Sequence, residues 1–153
     1  DRTGVTGPQG FFDTGSGGVP DWTFNATLTY QTGPVQVRLQ SRFISAGKYN
    51  NDRIGPDDSR YEEAIASCAT APTGALCANT INDNTVDSAV YFNLSASYDV
   101  VREENGLNFQ IFGTINNLLN AEPPLAPDGT YYTNPVLFDQ IGRYFRAGFR
   151  MNL

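Results

Sequence analysis

One short stretch of the chain has the residue types of a catalytic site. The segment FFDTGSG (residues 11–17) contains Asp-Thr-Gly-Ser, the sequence in which aspartic proteases carry their catalytic aspartate. Those enzymes need two such aspartates that share a proton, and the chain has one copy of the motif. Only two apolar residues precede it, where a strand should lead into the motif. A glycine-rich loop tip explains the segment better, so we expect neither enzyme activity nor a catalytic residue.

Metal and cofactor chemistry has little support in the residue types. The chain has no histidine and only 2 cysteines, so a zinc site is not expected. The segment NDNTVD (residues 82–87) resembles half of a calcium loop, but it lacks the glycine and the distal glutamate of such loops. We interpret it as a polar loop, and we expect neither a metal site nor a cofactor.

The two cysteines, Cys68 and Cys77, lie in a polar stretch rich in alanine and threonine. Two unrelated buried thiols are one interpretation. The loop context favours a local disulfide bond, which would place this part of the chain in an oxidising compartment such as the periplasm or the cell surface.

The most informative pattern is a strict alternation of apolar and polar residues. In RYFRAGFRMNL (residues 143–153), Phe145, Ala147 and Phe149 alternate with arginines and a glycine. Because successive side chains of a β-strand point to opposite faces, this pattern predicts a strand with one apolar and one cationic face. No segment shows a comparable helical period. Five segments alternate in this way, and we expect strands at residues 22–30, 35–43, 90–99, 107–117 and 143–153.

The connections between these strands alternate between short and long. QTGP and REENG are short turns, whereas residues 44–89 and 118–142 are long connections. Compact soluble domains rarely contain so long a structureless loop, while outer-membrane barrels combine short periplasmic turns with long extracellular loops. No run of about 18 apolar residues occurs, so a transmembrane helix is excluded. The sequence therefore predicts an all-β fold of antiparallel transmembrane β-barrel strands.

Basic residues fall on the polar face of the predicted strands. Arg38, Arg42, Arg146 and Arg150 are all in the polar phase, and the strand cores contain no acidic residue. A half-buried soluble sheet gives the same alternation, but its polar face would be expected to mix acids with bases. An arginine facing the bilayer midplane would cost about 2–4 kcal/mol, so a barrel requires this phase. The net charge of −6 argues against nucleic acid as a partner.

The last part of the chain resembles the C-terminal strands of TonB-dependent outer-membrane receptors. Three segments carry the resemblance: VYFNLSASYDV, LNFQIFGTINNLLNAEPP and FDQIGRYFRAGFRMNL. The family tends to end a strand in Asn-Asn-Leu-aromatic-Asp/Asn, followed by a long loop and by Gly-Arg before the final strand. This chain has residues 116–120 (NNLLN) and then Gly142 and Arg143 at those positions. Its final residue is Leu153, where the family usually has an aromatic residue.

The resemblance implies a barrel of about 22 strands with an N-terminal plug domain, which imports a scarce nutrient with energy from the TonB complex. Residues 1–153 would be the C-terminal part of that barrel, and the rest of the receptor would supply the plug and the other strands. Outer loops are expected at residues 1–21, 44–89 and 118–142, next to lipopolysaccharide in the outer membrane of a Gram-negative bacterium. A siderophore, a vitamin, an oligosaccharide and a peptide are all open as the imported ligand.

The resemblance also suggests where a ligand and a plug would make contact. Outer-loop tyrosines offer ring and hydroxyl contacts at low entropy cost, which makes Tyr49, Tyr61, Tyr131 and Tyr132 the ligand-binding candidates. For each of them, packing within a loop or anchoring at the rim is the other interpretation. The four arginines of the polar face would line the lumen, where they would pair with plug carboxylates or with a ligand.

Two other classes of function stay open at this stage. A passive porin or an autotransporter-type barrel would share the strands but would lack the plug and the TonB contact. A soluble β-sandwich binding module would share the alternation, and it would fold as a monomer in buffer without detergent.

Overall fold

The computed structural model describes residues 3–7, 18–102, 107–127 and 132–152. The chain divides into two compact units, which we call the sheet unit and the loop unit. The sheet unit comprises Trp22–Ile44, Ala89–Pro123 and Asp139–Leu153, and the loop unit comprises Asp1–Asp21, Ser45–Ser88 and Pro124–Phe138. None of the helices in the described ranges is long and apolar enough to cross a membrane.

The described residues form mostly antiparallel β-sheet, with few helices. In chain order the elements are β1 Thr23–Thr32, β2 Val35–Ile44, β3 Gly47–Lys48, α1 Tyr61–Thr70, α2 Ala75–Ala78, β4 Thr85–Val86, β5 Ala89–Arg102, β6 Asn108–Asn116 and β7 Tyr144–Asn152. Five strands make one sheet in the order β1-β2-β5-β6-β7, and β3 pairs with β4 separately. The sheet strands lie where the alternation predicted them, and an all-β class is consistent with this architecture.

The strand register joins the predicted apolar phase of each strand to that of its neighbour. Leu28 pairs with Leu39, Leu39 with Leu94, Leu94 with Ile115, and Ile115 with Phe145. These five residues make a row that crosses all the strands on one face. Because side chains alternate with a period of two, a slip of one residue in any strand would carry its apolar set to the opposite face.

Two local features set the strand ends. A two-residue turn, Gly33–Pro34, joins β1 to β2, and Gly33 adopts a φ of 52°, which glycine reaches without a steric penalty. β5 continues to Arg102, three residues past its predicted end, so Asp99 lies inside a strand rather than at its end. A bulge between Asp99 and Val101 shifts the register by one residue, so that Val101 rather than Val100 pairs with Phe109.

The asparagine-rich segment after β6 forms a hydrogen-bonded corner. Asn117 and Asn120 have φ values of 49° and 54°, a region that asparagine tolerates better than most residues. The Asn117 side chain accepts a hydrogen bond from the Ala121 N–H at 2.8 Å and donates one to the Ala121 carbonyl at 2.9 Å. Asn120 Oδ1 accepts from the Arg143 N–H at 3.0 Å, next to Gly142 with its φ of 75°. The residues quoted for the resemblance thus join the end of β6 to the start of β7.

The loop unit contains a helix that the sequence analysis missed. Residues 44–89 were predicted without regular structure, but α1 and α2 lie within them, and a disulfide bond joins Cys68 of α1 to Cys77 of α2. The α1 sequence is rich in alanine, and only Ala64 is buried, so it has no apolar stripe of helical period. Glu62 and Glu63 lie in the first turn, where their negative charges interact favourably with the positive end of the helix dipole and stabilise the helix.

The rest of the loop unit is held by close backbone contacts and by a small core. Thr6 donates its N–H to the Lys48 carbonyl at 3.0 Å, so the segment of residues 3–7 runs beside β3. Gly47 lies so close to this segment that a Cβ there would be 2.4 Å from the Gly4 carbonyl oxygen. Among the described residues of the unit, the buried apolar side chains are Val5, Ile54, Ala64, Val86, Ala126, Leu137 and Phe138.

The asparagine corner generates a stability prediction. We expect Asn117→Ala to destabilise the sheet unit by about 2–4 kcal/mol, because Asn117 is fully buried, makes both bonds to Ala121 and holds a left-handed backbone. Urea unfolding of the chain in detergent micelles, followed by circular dichroism, measures the change.

The neighbouring residue provides a matched control. The side-chain nitrogen of Asn116 is buried without a hydrogen-bond partner, so Asn116→Ala removes no such bond and should cost less than about 1 kcal/mol. Equal destabilisation by the two variants would contradict the structural role given to the corner.

Candidate functional site

The four arginines predicted on the polar face share one face of the sheet. Arg38 and Arg42 lie on β2, and Arg146 and Arg150 lie on β7. Arg38 pairs with Ser95, Ser95 with Thr114, and Thr114 with Arg146, so one row of the register connects the two arginine-bearing strands. Three strand spacings separate Arg38 from Arg146, which is about 14 Å between their Cα atoms.

A shallow hollow on this face adjoins Arg38. Its volume is about 220 Å³, and Gln36, Ser95, Ser97 and Thr114 line it together with Arg38. The Phe112 ring bounds the same hollow and lies over Gly148 of β7, where an added Cβ would be 2.7 Å from its Cζ atom. A guanidinium beside three hydroxyls and an amide can bind a carboxylate, a phosphate or a sugar hydroxyl.

The charged residues of this face make different contacts with their neighbours. Arg146 stacks over the Tyr144 ring with its Cζ atom 5.1 Å from the ring centroid. Asp99, Gln110 and Arg150 lie in one row of the register, and the Asp99 carboxylate accepts a hydrogen bond from Gln110 at 2.7 Å. The residues that the structure describes provide no ion pair for any of the four arginines.

The opposite face of the sheet is apolar and exposed. Phe24, Leu28 and Phe149 leave 61%, 69% and 71% of their surface exposed. Trp22, Tyr30 and Tyr98 are exposed large side chains as well. An apolar area of this extent marks a surface that another apolar phase or partner covers.

The tyrosines predicted to bind a ligand lie in different surroundings. Tyr49 donates its hydroxyl to the Pro127 carbonyl, and Tyr61 donates its hydroxyl to Asn82 Oδ1 at 3.4 Å. Tyr132 leaves 82% of its surface exposed. Tyr131 lies outside the described residues, as does the Asp-Thr-Gly-Ser motif. Of these four candidates the structure describes Tyr49, Tyr61 and Tyr132, and no hydrogen bond joins any two of them.

Sequence reasoning missed a carboxylate turn close to Tyr49. Asp83 Oδ1 accepts hydrogen bonds from the Thr85 hydroxyl at 2.6 Å and from the Thr85 N–H at 2.9 Å. These bonds, the hydroxyl one first, lower the pKa of Asp83 below its ordinary value. The spacing Asp-x-Thr in NDNTVD is a sequence signal for such a turn. No group of three or more metal-ligating side chains occurs among the described residues.

The turn predicts a measurable effect of pH. Because the pKa of Asp83 is lower in the folded chain, the turn contributes its full stability above the unfolded pKa of about 3.9 and loses it as the pH falls through the lower folded value. We expect Thr85→Val to raise the pKa of Asp83 toward its ordinary value, as measured by NMR titration of the carboxyl carbon.

A second threonine serves as the control for this titration. Thr80 donates its hydroxyl to the Cys77 carbonyl rather than to Asp83, so Thr80→Val should leave the Asp83 midpoint in place. If Thr85→Val also left it in place, the assigned cause of the shift would be wrong.

Comparisons with protein-family models, with curated proteins and with solved structures find no match to this chain. The resemblance to TonB-dependent receptors therefore depends on the residues quoted in the sequence analysis. A function has to be inferred from the two faces of the sheet and from the loop unit.

Proposed function

We propose that the chain is part of a TonB-dependent outer-membrane receptor, in which the sheet unit forms part of the barrel wall and the loop unit forms outer loops. The receptor would import a scarce nutrient, such as a siderophore, a vitamin, an oligosaccharide or a peptide. The observation that carries this proposal is the large exposed apolar face of a sheet whose other face bears the arginines.

The size of the exposed side chains argues for an apolar environment. Burial of a leucine or phenylalanine side chain is worth about 1.5–3 kcal/mol relative to water. Phe24, Leu28 and Phe149 forgo most of this gain in water, since each is more than half exposed. A lipid bilayer would provide the gain along the whole face at once.

The distribution of charge favours lipid over a second protein layer. Along β2 and β7 the apolar phase contains no charged residue, whereas all four arginines are in the polar phase. A soluble sandwich tolerates a charged residue at the rim of its packed face, but a charge at the bilayer midplane costs about 2–4 kcal/mol. The separation of charged and apolar residues on β2 and β7 therefore matches the requirement of a membrane sheet, which is stricter than that of a soluble sandwich.

The sheet edges explain why more strands are required. In the described sheet, β1 and β7 each pair with one neighbour only. An unpaired N–H or C=O group in hydrocarbon costs several kcal/mol, so membrane sheets close into barrels. Under this proposal the remaining strands of the receptor pair with β1 and β7, and these strands are the first partner of the chain.

The connectivity supports an assignment of the two ends of the sheet. Thr23, Ile44 and Ala89 lie in one row of the register. The segments before β1 and between β2 and β5 therefore leave the sheet at the same end of the strands. The segment between β6 and β7 leaves at Asn116 and Tyr144, the ends of their strands on that side. We assign this end of the strands to the outside of the cell, where lipopolysaccharide lies. The opposite end, with the Gly33–Pro34 turn, is assigned to the periplasm, where the TonB complex acts on the receptor.

The arginine face favours a plugged receptor over an open porin. Four guanidinium groups without a described carboxylate partner could pair with carboxylates of a plug domain inside the barrel. In the assembled receptor, a cysteine at Ser95 should react slowly with a water-soluble thiol reagent. Rapid labelling would favour the porin-type alternative.

A pair of neighbouring substitutions tests the membrane assignment. Leu28 is in the apolar phase of β1, and Thr27 faces the other way, where it pairs with Gln40. Leu28→Arg should weaken partition into phospholipid vesicles by roughly 30- to 900-fold, which corresponds to about 2–4 kcal/mol, because it puts a charge into hydrocarbon. Flotation of the chain with the vesicles measures the bound fraction.

The matched variant Thr27→Arg adds the same charge to the polar face, so it should change partition less than about three-fold. Equal effects of the two variants would contradict the assignment. A chain that is monomeric and folded in buffer without detergent would instead support the soluble β-sandwich.

A further inference from the structure

The loop unit contains a cleft that the sequence analysis did not identify. Its volume is about 350 Å³, within the range of small-molecule sites. In the part of the chain that the structure describes, the residues that line it are Tyr49, Ile81, Asp83, Thr85, Leu125 and Pro127. Four of them present ring or aliphatic carbon, and the other two form the carboxylate turn.

The cleft is built by contacts from three separate segments. Lys48 pairs with Thr85 in the two-stranded sheet, and Tyr49 donates its N–H to the Asn84 carbonyl at 2.9 Å. The buried Asn84 side chain also accepts the Asn50 N–H at 3.0 Å, which holds Tyr49 beside Asp83 and Thr85. The bond from the Tyr49 hydroxyl to the Pro127 carbonyl fixes the third wall.

A glycine allows a further segment to support Tyr49 from behind. A Cβ on Gly7 would be 2.3 Å from the Tyr49 carbonyl oxygen, so no other residue fits there without a shift of the backbone. The Asn134 side chain donates to the Gly7 carbonyl at 3.1 Å and is itself fully buried. The tyrosine wall is therefore held in place before any ligand arrives.

Among the described residues that line the cleft, Asp83 is the one with a charged side chain. Thr85 occupies Oδ1, and no described residue donates a hydrogen bond to Oδ2. The Tyr49 ring borders the same space and offers a π-face to a cation. A single carboxylate beside an aromatic ring is a poor metal site, but it suits an organic ammonium group.

The charge of the surroundings favours the same kind of ligand. The described part of the loop unit has eight acidic residues and three basic ones. All three basic side chains are engaged: Lys48 with Asp57 at 3.0 Å, Arg60 with Asp58 at 2.7 Å, and Arg53 with the Ala78 carbonyl at 2.6 Å. The field at the cleft therefore attracts cations and repels anions.

From this geometry we propose that the cleft binds an organic ammonium ion with a compact apolar body. The ammonium group contacts Asp83 Oδ2 and the Tyr49 ring, while the apolar body lies against Ile81, Leu125 and Pro127. As a binding site it depends on the loop unit alone, whereas its role as the capture site of an importer rests on the proposed function.

Three probes of matched shape test the charge selection. Phenethylamine is cationic, phenethyl alcohol is neutral and phenylacetate is anionic, and all three carry the same phenyl group. Each is titrated into the full chain in detergent micelles while NMR follows the backbone amides of Ile81, Asp83 and Thr85. Dispersed signals from these residues before titration establish that the cleft is folded.

We expect saturable shifts with phenethylamine, with a dissociation constant of about 1–10 mM, and none with phenylacetate. Asp83→Asn keeps the shape and the acceptor oxygen of the side chain, and it should weaken phenethylamine binding about three- to five-fold. Asp87→Asn removes the same charge outside the cleft and should leave the affinity within two-fold.

Two results would overturn the proposal. The first is the absence of a saturable shift with phenethylamine when the amide signals show a folded cleft. The second is equal binding of the three probes, which would mean an apolar cleft without charge selection. Because the probes report on the loop unit and the arginine substitutions report on the sheet unit, either proposal can fail without the other.

Discussion

The register of the five-stranded sheet is the constraint on which the rest of the structure depends. Each of its four strand pairings joins the predicted apolar phase of one strand to that of the next, although single pairs such as Ser97 with Phe112 combine a polar and an apolar residue. A slip by one residue in β7 would turn Phe145 and Phe149 toward the arginine face and expose the guanidinium groups on the apolar face. The bulge after Asp99 changes the register locally, and it puts Val101 opposite Phe109 in place of Val100.

The register places different residue types on the two faces of the sheet, and the loop unit has a different charge composition. The four arginines lie on one face of the sheet with Ser95, Ser97, Thr114 and the Phe112 ring, whereas large exposed apolar side chains such as Phe24, Leu28 and Phe149 lie on the other. Acidic residues outnumber basic ones in the described part of the loop unit. In the proposed receptor, the apolar face would meet lipid, the arginines would meet the plug, and the acidic loops would meet the incoming ligand.

The sequence predicted the sheet well because a period of two is a local pattern. The alternation within each strand shows which residues share a face. Short turns such as Gly33–Pro34 then restrict the register in which neighbouring strands can pair. The α1 helix escaped prediction because burial of Ala64 alone leaves no periodic apolar stripe. Its alanine content and the acids of its first turn were the available signals.

The binding cleft escaped prediction for a different reason. Its walls come from segments far apart in the chain, and the bond between Tyr49 and Pro127 spans 78 positions. Tyr49 was chosen as a ligand candidate, but nothing local indicates that Leu125 and Asp83 adjoin the same space. The asparagine corner is intermediate, because its residues were recognised as a motif from the sequence. Their structural role is visible only in three dimensions: Asn117 and Asn120 have left-handed backbone conformations, and their side chains accept hydrogen bonds from Ala121 and Arg143.

In the proposed receptor, successive side chains of each strand face lipid and the polar lumen in alternation. A nitroxide scan along β5, with one labelled cysteine at a time from Ala89 to Asp99, measures this directly for the chain in phospholipid vesicles. We expect oxygen accessibility to peak at Val90, Phe92, Leu94, Ala96 and Tyr98, and accessibility to a water-soluble nickel complex to peak at the positions between them. Equal accessibility of the two sets to both reagents would contradict the account.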